Sequence, residues 1–344
     1  MPTFWVLHVD LDQFIAAVEV LRHPELAGKP VVVGGRGDPT ERGVVSTASY
    51  EARKFGVGSA MPLRTAARKC PEAVFLPVDR PAYEQASAEV MDALRSLGAV
   101  VEVLGWDEAF LGVQTDEPEA FARLVQQTVY DATGLHCSVG IGDNTLRAKL
   151  ATDFGKPRGM FRLTADNWFA VMADESTSAL WGIGRKTAKR LAGLGISTVR
   201  DLAATDPQVL AARLGPTMGP WYHRLALGVA SSRVDGSPYL ARGRSRETTF
   251  QQDLTDWAEV EAEVRRLAGL VVEDLHRDER PAVRVTVKVR YAPFETQTRS
   301  CTLSHPTDDG DAIVTAATEL AWGLDQERPV RLVGIRAEMS MPTR

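Results

Sequence analysis

The first apolar run of the chain, Val6-Leu7-His8-Val9, places Leu7 and Val9 on one side and Val6 and His8 on the other, then ends in the carboxylates Asp10 and Asp12. This pattern predicts a buried strand, and Ala16-Ala17-Val18-Glu19-Val20-Leu21 beyond it predicts a helix. Strand, acid, turn and helix can hold an ion at a sheet edge, but an Asp at a strand end can equally cap the helix. A second acidic feature lies between Val100-Val101-Glu102-Val103 and Ala109-Phe110-Leu111-Gly112, which read as two strands joined by a tight turn bearing Asp107 and Glu108. Carboxylates flanked by Trp106 and Phe110 resist ionisation unless a cation or hydrogen bonds compensate them.

Tyr83, Ala86, Val90 and Leu94 recur at helical spacing and predict a helix from Pro81 to Leu97. Another is expected over Pro118–Thr133, then a strand Cys137–Gly142, then a helix Thr145–Phe154 carrying Arg147 and Lys149. The order fits a ferredoxin-like α+β sheet with helices on one face, in which Asp10 and the Asp107-Glu108 turn can lie side by side. Between the opening strand and this unit lies a small, glycine-punctuated, basic region. Its strands are expected at Gly28–Gly35 and Arg42–Tyr50 and its short helices at Tyr50–Lys54 and Met61–Lys69. Gly34-Gly35-Arg36-Gly37 opens no helix and so lacks the context of a dinucleotide loop.

Thr164 reads as the N-cap of a helix ending at Met172. Leu180-Trp181-Gly182-Ile183-Gly184-Arg185-Lys186 reads as a glycine hairpin at the mouth of a basic helix, part of a helix-hairpin-helix element. Gly182 and Gly184 free backbone N–H groups for a phosphate, and Arg185 and Lys186 follow at once; the glycine spacing is not that of a Walker loop. Gly228–Arg242 is turn-rich and reads as a linker. A last α+β unit follows, with a strand Arg242–Phe250 whose Arg242, Arg244, Arg246 and Thr248 share a face, and an acidic helix Asp256–Leu275. The strand Ala282–Tyr291 should point Val283, Val285, Val287 and Val289 inward and Arg284, Thr286, Lys288 and Arg290 outward. A strand bearing Arg299, a helix Ala312–Leu324 and a strand Val330–Met339 close the unit. Like charges on neighbouring strands repel unless something anionic covers them.

Composition adds bounds. The chain has 344 residues, enough for two to four domains, and a net charge of −5, so an anionic partner requires the cations to be segregated. Its apolar runs are too short for a membrane span, and Met1-Pro2-Thr3-Phe4-Trp5 lacks a basic secretory start, which sets a cytoplasmic expectation. Cys70, Cys137 and Cys301 are scattered, against structural zinc or a disulfide framework.

Paired carboxylates on a sheet, a basic flap, a phosphate-binding hairpin and a basic sheet together point to phosphoryl transfer on a nucleic acid. Val9-Asp10-Leu11-Asp12-Gln13-Phe14, Ser46-Thr47-Ala48-Ser49-Tyr50-Glu51-Ala52-Arg53-Lys54-Phe55-Gly56-Val57, Asp107-Glu108-Ala109-Phe110-Leu111, Val139-Gly140-Ile141, Ala148-Lys149 and Gly155-Lys156-Pro157 resemble the Y-family translesion DNA polymerases. The likeness is to the DinB (DNA polymerase IV) branch, in an actinobacterial, mycobacterial-type paralogue, and covers essentially the whole chain. It implies a palm over 1–11 and 79–163, fingers over 12–78, a thumb over 164–230, a linker over 231–241 and a little finger with a four-stranded sheet over 242–344.

The resemblance further implies two divalent ions, Mg²⁺ or Mn²⁺, held by Asp10, Asp107, Glu108 and the Leu11 carbonyl, with these carboxylates catalytic. Gln13, Phe14, Ile15, Ser46, Thr47, Tyr50, Arg53 and Lys156 match nucleotide-binding positions, while helix capping is our reading for Asp12. Primer–template DNA is the expected partner, contacted by Gly182, Gly184, Arg185, Lys186, Arg242, Arg244, Arg246, Arg284, Lys288, Arg290 and Arg299. The expected enzyme is a monomer of low fidelity without proofreading.

Three positions depart from the family pattern. Gly105-Trp106 replaces the usual Ser before the Asp-Glu pair, Gly112 replaces a frequent acid, and Ile15 stands where an aromatic ring normally excludes the ribose 2′-hydroxyl. Weak sugar discrimination follows, with ribonucleotides incorporated beside deoxyribonucleotides. Glu338-Met339-Ser340-Met341-Pro342-Thr343-Arg344 does not resemble the short peptide by which such enzymes bind a sliding clamp, so clamp binding is left open. The rival reading is a non-catalytic DNA-binding repair scaffold, which would retain the hairpin and basic sheet without needing Asp10, Asp107 and Glu108. A nucleotide cyclase on a similar palm leaves the later regions unexplained.

Overall fold

The computed structural model describes residues 3–341; Met1, Pro2 and the last three residues of the C-terminal peptide lie outside the described residues. The fold is α+β and separates into two compact units, Met1–Pro39 with Gly43–Pro238, and Thr40–Arg42 with Tyr239–Arg344.

In the first unit a five-stranded sheet runs in the order Val100–Val103, Glu108–Gln114, Phe4–Leu11, Cys137–Gly142, Met160–Leu163. Only its last pair is parallel. The opening strand is central and buried on both faces. Leu7, Val9 and Leu11 enter a core with Tyr83, Val90 and Leu94 of helix Arg80–Arg95 and Val125 and Val129 of helix Pro118–Thr133. Val6, on the other face, packs with Phe110 and Ala148. Helices therefore cover both faces of the sheet rather than the single face expected. Gly140 and Gly142 make this possible, because a Cβ there would stand 2.0 Å from the Ala148 carbonyl oxygen and 2.4 Å from its nitrogen. Helix Thr145–Gly155 lies directly on the strand as a result.

The glycine-rich region folds on a three-stranded sheet in which Val31–Val33 pairs antiparallel with Thr47–Ala48 and parallel with Val74–Leu76. That third strand, three residues long, escaped the pattern reading. The helix expected from Thr164 begins at Trp168, since the Thr164 N–H donates to Asn167 Oδ1 at 2.7 Å and Thr164 is not its cap. Helices Arg185–Ala192, Val199–Ala204, Pro207–Leu214 and Met218–Ala226 follow. Leu180, Ile183, Leu191 and Trp168 share a core with Leu146 and Leu150, fixing this segment to the back of helix Thr145–Gly155. Part of the expected linker is anchored: the Thr145 N–H donates to the Ser231 carbonyl at 2.9 Å and the Asp235 N–H to Glu102 at 2.8 Å.

The second unit is a four-stranded antiparallel sheet, in the order Thr296–Thr307, Ala282–Tyr291, Val330–Met339, Gly243–Leu254, with helices Trp257–Asp278 and Gly310–Trp322 packed on one face. Val285, Val287 and Val289 are buried as expected, but a register shift between Ala282 and Arg284 buries Ala282 and leaves Val283 half-buried. The register also corrects the expected basic face. Arg244 and Arg246 lie opposite Ala337 and Ile335, on the helix side. There Arg244 forks onto Asp278 at 2.5 and 2.7 Å and Arg246 onto Asp274 at 2.7 and 2.6 Å. Arg299 lies opposite Val287, on the same side. Arg284, Lys288 and Arg290 take the open face.

Two outcomes follow. Gly140→Ala drives a methyl into the backbone of helix Thr145–Gly155 and should destabilise the chain by about 3 kcal/mol or more in denaturant unfolding; an unchanged midpoint would refute the contact. Burial raises the Asp274 carboxyl while Arg246 and Arg277 more than offset this and hold it below its usual range, and Arg244 does the same for Asp278. A depressed carboxylate stabilises the fold above its unfolded pKa, and that stability is lost as pH falls through the folded value. Asp274→Asn should therefore cost about 1–3 kcal/mol at pH 7 and flatten the acid limb of thermal stability below about pH 4, measured by scanning calorimetry.

Candidate active site

Asp10 is the next-to-last residue of the central strand, and antiparallel pairing sets it opposite Glu108. The Leu11 N–H donates to the Asp107 carbonyl at 2.8 Å, which fastens the acidic turn to the end of that strand. Beside them opens a cleft of about 220 Å³. Asp10 and Leu11 line it from the central strand, Gln13 and Phe14 from the start of the next helix, Asp107 from the acidic turn, Lys156 from the end of helix Thr145–Gly155, and Ser46, Thr47, Tyr50, Arg53 and Ser59 from the glycine-rich region. The structure thus gathers ten of the expected metal and nucleotide residues around one space. Glu108 and Ile15 are not among its lining residues; Ile15 is half-buried and packs against the main core.

The three acids are treated differently. Burial pushes the Asp10 carboxyl up, against the pull of Lys156, whose Nζ lies 2.9 Å from Asp10 Oδ2. Burial also raises Asp107, with the neighbouring Glu108 charge adding to it. Glu108 is instead pulled down to about 2, by the hydrogen bond with His8 and then by Lys149, despite burial. His8 Nε2 lies 3.2 Å from Glu108 Oε2, and Lys149 Nζ is hydrogen-bonded to the same oxygen. For Lys156, burial works against the charge, yet Asp10 and Asp153 outweigh it and the ammonium persists.

Asp12 does not cap the following helix. That helix, Phe14–Arg22, has Gln13 at its N-cap in a left-handed conformation, φ 46°, without a side-chain cap. Asp12 is buried and accepts from three distant donors: the Tyr50 hydroxyl at 2.8 Å, Ser138 Oγ at 2.9 Å and the Arg158 N–H at 2.8 Å. Gln13 Oε1 accepts from the Tyr50 N–H at 2.5 Å. Burial and the Asp12 bond raise the Tyr50 phenol well above its usual value, so it stays a donor. The Arg53 guanidinium stacks 5.1 Å from the Tyr50 ring centroid while its Nε donates to the Ala48 carbonyl.

His8, Asp12, Ser59, Lys149 and Thr152 were missed as site residues. His8 stood out only as the single polar side chain in an apolar run, and Asp12 and Lys149 only as members of the family motifs, because the partners that give those two their roles lie far away in sequence. Of the expected DNA contacts, Gly182 takes φ 104° and its missing Cβ leaves room for Trp221, 2.5 Å away; Gly184 caps helix Arg185–Ala192. Arg185 and Lys186 are exposed and form no ion pair among the described residues. On the open face of the four-stranded sheet Lys288 meets Glu247 at 2.8 Å, Arg284 approaches Glu338 at 3.8 Å and Arg290 donates to Thr296 at 2.9 Å. Arg336, opposite Thr286 and Ser245, is an additional cation there. Arg242 lends its carbonyl to the Met339 N–H just before the edge strand.

Carboxylates and a backbone carbonyl are the hard oxygen donors that suit Mg²⁺ or Mn²⁺. Among the described residues no three acidic, His or Cys side chains form a ready metal centre, since ammonium groups hold Asp10 and Glu108. The donor set fits such an ion once Lys156 gives up Asp10, since Lys149 and His8 both engage Oε2 of Glu108 and leave Oε1 open.

Comparison with known proteins gives the same direction. Residues 9–153 match the impB/mucB/samB family and residues 242–339 its C-terminal domain. The chain is 50% identical to DNA polymerase IV 2 of Mycobacterium tuberculosis, over 99% of this chain and 100% of the relative. It is 42% identical to DNA polymerase IV of Methanoculleus marisnigri, over 97% and 94%. Among solved structures it resembles a Y-family DNA polymerase chimera with a TM-score of 0.87 and 26% identity, over 97% of this chain and 98% of the other. An insertion ternary complex of Dbh DNA polymerase matches with a TM-score of 0.66 and 25% identity, over 98% and 100%. With both family regions matched in order and the likeness running the length of the chain, this protein belongs to the Y-family DNA polymerases of the DNA polymerase IV (DinB) type and is a DNA-directed DNA polymerase.

Proposed function

We propose that the cleft is the nucleotidyl-transfer site of a translesion polymerase working with two divalent ions, and that it accepts ribonucleotides as well as deoxyribonucleotides. The observation that carries this reading is the cleft itself, where Asp10, Asp107, Tyr50, Arg53 and Lys156 surround one space. Asp10, Asp107, Glu108 and the Leu11 carbonyl would hold the ions, whose contribution when bound would be to lower the pKa of a primer 3′-hydroxyl and to offset charge on a departing pyrophosphate. Lys156, Arg53, Thr47 and Tyr50 would bind the triphosphate, Lys156 passing from Asp10 to phosphate. Gln13 fixes the backbone of Tyr50, and Ser46 and the buried Phe14 line the same cleft. The domain roles implied by the family apply: 1–11 with 79–163 as palm, 12–78 as fingers, 164–230 as thumb, 231–241 as linker and 242–344 as little finger. Primer–template DNA would contact Gly182, Gly184, Arg185 and Lys186, and the open face bearing Arg284, Lys288 and Arg290. Arg244 and Arg246, committed to Asp278 and Asp274, support that sheet from behind.

Asp107→Ala should lower primer extension by about a thousandfold or more while leaving duplex binding intact. Extension that survives the substitution would favour a different metal arrangement, and a wild type that binds DNA without extending it would favour the scaffold reading. Ile15 is shorter than an aromatic ring and lacks its planar edge, so the wild type should use both sugars. Ile15→Phe should reduce the ribonucleotide-to-deoxyribonucleotide ratio of kcat/KM by about tenfold or more. Strong exclusion of ribonucleotides by the unmodified enzyme would sink this gate.

A further inference from the structure

We propose that Lys149, braced by the indole of Trp181, is a positioning residue that aims Glu108, and that it ties this aim to the glycine hairpin of the helical segment. The inference rests on Glu108 being a metal ligand, as read above. Both polar contacts to Glu108 fall on one oxygen: Oε2 meets His8 Nε2 at 3.2 Å and the Lys149 ammonium, while Oε1 has no hydrogen bond among the described residues. One oxygen is held and the other is left to serve as a ligand.

The two holding groups are themselves fixed. His8 is 1% exposed, its Nδ1 lies 2.8 Å from Thr152 Oγ1, and its ring sits edge-on to Phe110 at 5.1 Å. Lys149 Nζ lies 3.1 Å from His8 Nε2 and 5.4 Å from the centroid of the Trp181 ring, the range in which an ammonium is drawn to an aromatic face. Trp181 also stands edge-on to Phe110 at 6.3 Å, so one indole touches both the strand below Glu108 and the lysine that grips it.

Trp181 immediately precedes Gly182 and Gly184. Its place is set by the Gly182 turn against Trp221 and by Ile183, buried in the helical core. The same hairpin presents Arg185 and Lys186 to solvent. A shift of that hairpin therefore moves the aromatic face on which Lys149 rests. Partners that orient metal ligands characteristically change metal affinity by tenfold or more when removed.

The test titrates Mn²⁺, followed by electron paramagnetic resonance, into the full chain bound to dideoxy-terminated primer–template and an incoming nucleotide. Lys149→Met keeps the side-chain length and should weaken Mn²⁺ binding about tenfold or more. Trp181→Leu should weaken it about threefold and should add nothing in the Lys149→Met background, as coupled residues do. Circular dichroism melts identify any variant that has lost its fold, and Trp181→Leu then carries the test, since it alters a half-exposed side chain. Wild-type affinity in Lys149→Met, with Asp107→Ala losing the ion, overturns the positioning role and leaves the metal site standing. Additive effects of Lys149→Met and Trp181→Leu overturn the link to the hairpin. Wild-type affinity in Asp107→Ala overturns the metal reading beneath both.

Discussion

The contact on which most of the first unit depends is the seating of helix Thr145–Gly155 against the Gly140-Ile141-Gly142 backbone. With a side chain at either glycine the Ala148 backbone could not lie where it does. From that position the helix lowers Lys149 and Thr152 onto His8 and Glu108, and its end delivers Lys156 to Asp10. Its opposite flank, Leu146 and Leu150, supplies part of the core on which Leu180 and Ile183 sit. A close approach of two backbones thus sets the carboxylates, their counter-ions and the hairpin in one frame, because interiors packed at crystal density do not yield by a methyl group without moving everything attached.

That frame explains how three acids coexist at the end of one buried strand pair. Burial alone would drive all of them toward the neutral form, and it does raise Asp10 and Asp107. Lys156 and Lys149 supply compensating charge at Asp10 and Glu108, and the helix that carries Lys149 is the one held close by the glycines. The arrangement places cations where divalent ions and a triphosphate would otherwise have to balance the charge. It keeps the acids desolvated and oriented, which is the preorganisation that electrostatic catalysis requires.

Elements with local signatures were legible in the sequence. Helix Pro118–Thr133 and strands Cys137–Gly142 and Val330–Met339 have the bounds that periodicity and punctuation predict. The acidic turn was legible because two carboxylates between aromatic residues demand compensation. What could not be read was pairing across distance. Asp12 finds Tyr50, Ser138 and Arg158 from three separate elements, and a single Asp after a strand carries no mark distinguishing such a hub from a cap. The basic strand shows a similar limit. Alternation places Arg244 and Arg246 on a common face, but only register against Ala337 and Ile335 decides that this face lies under the helices. Ile15 was legible as a departure in identity, while its packing against the core belongs to the tertiary structure.

Asp12 also bears on how a triphosphate would be bound in the proposed site. Tyr50 has one hydroxyl hydrogen, and it is donated to Asp12; its backbone N–H is donated to Gln13. Lys156 is likewise engaged by Asp10. If both residues hold phosphate, each has to leave a carboxylate to do so, and the two exchanges are linked, since the Arg158 N–H, two residues past Lys156, is bound to Asp12 as well. An anion entering the cleft competes with Asp10 for one donor and with Asp12 for the other. Arg53, which spends only Nε on the Ala48 carbonyl and keeps its terminal nitrogens free of any ion pair among the described residues, can meet phosphate without giving anything up. The order of engagement that costs least therefore begins at Arg53, with Lys156 and Tyr50 following as the charge of the bound anion replaces that of the acids they leave.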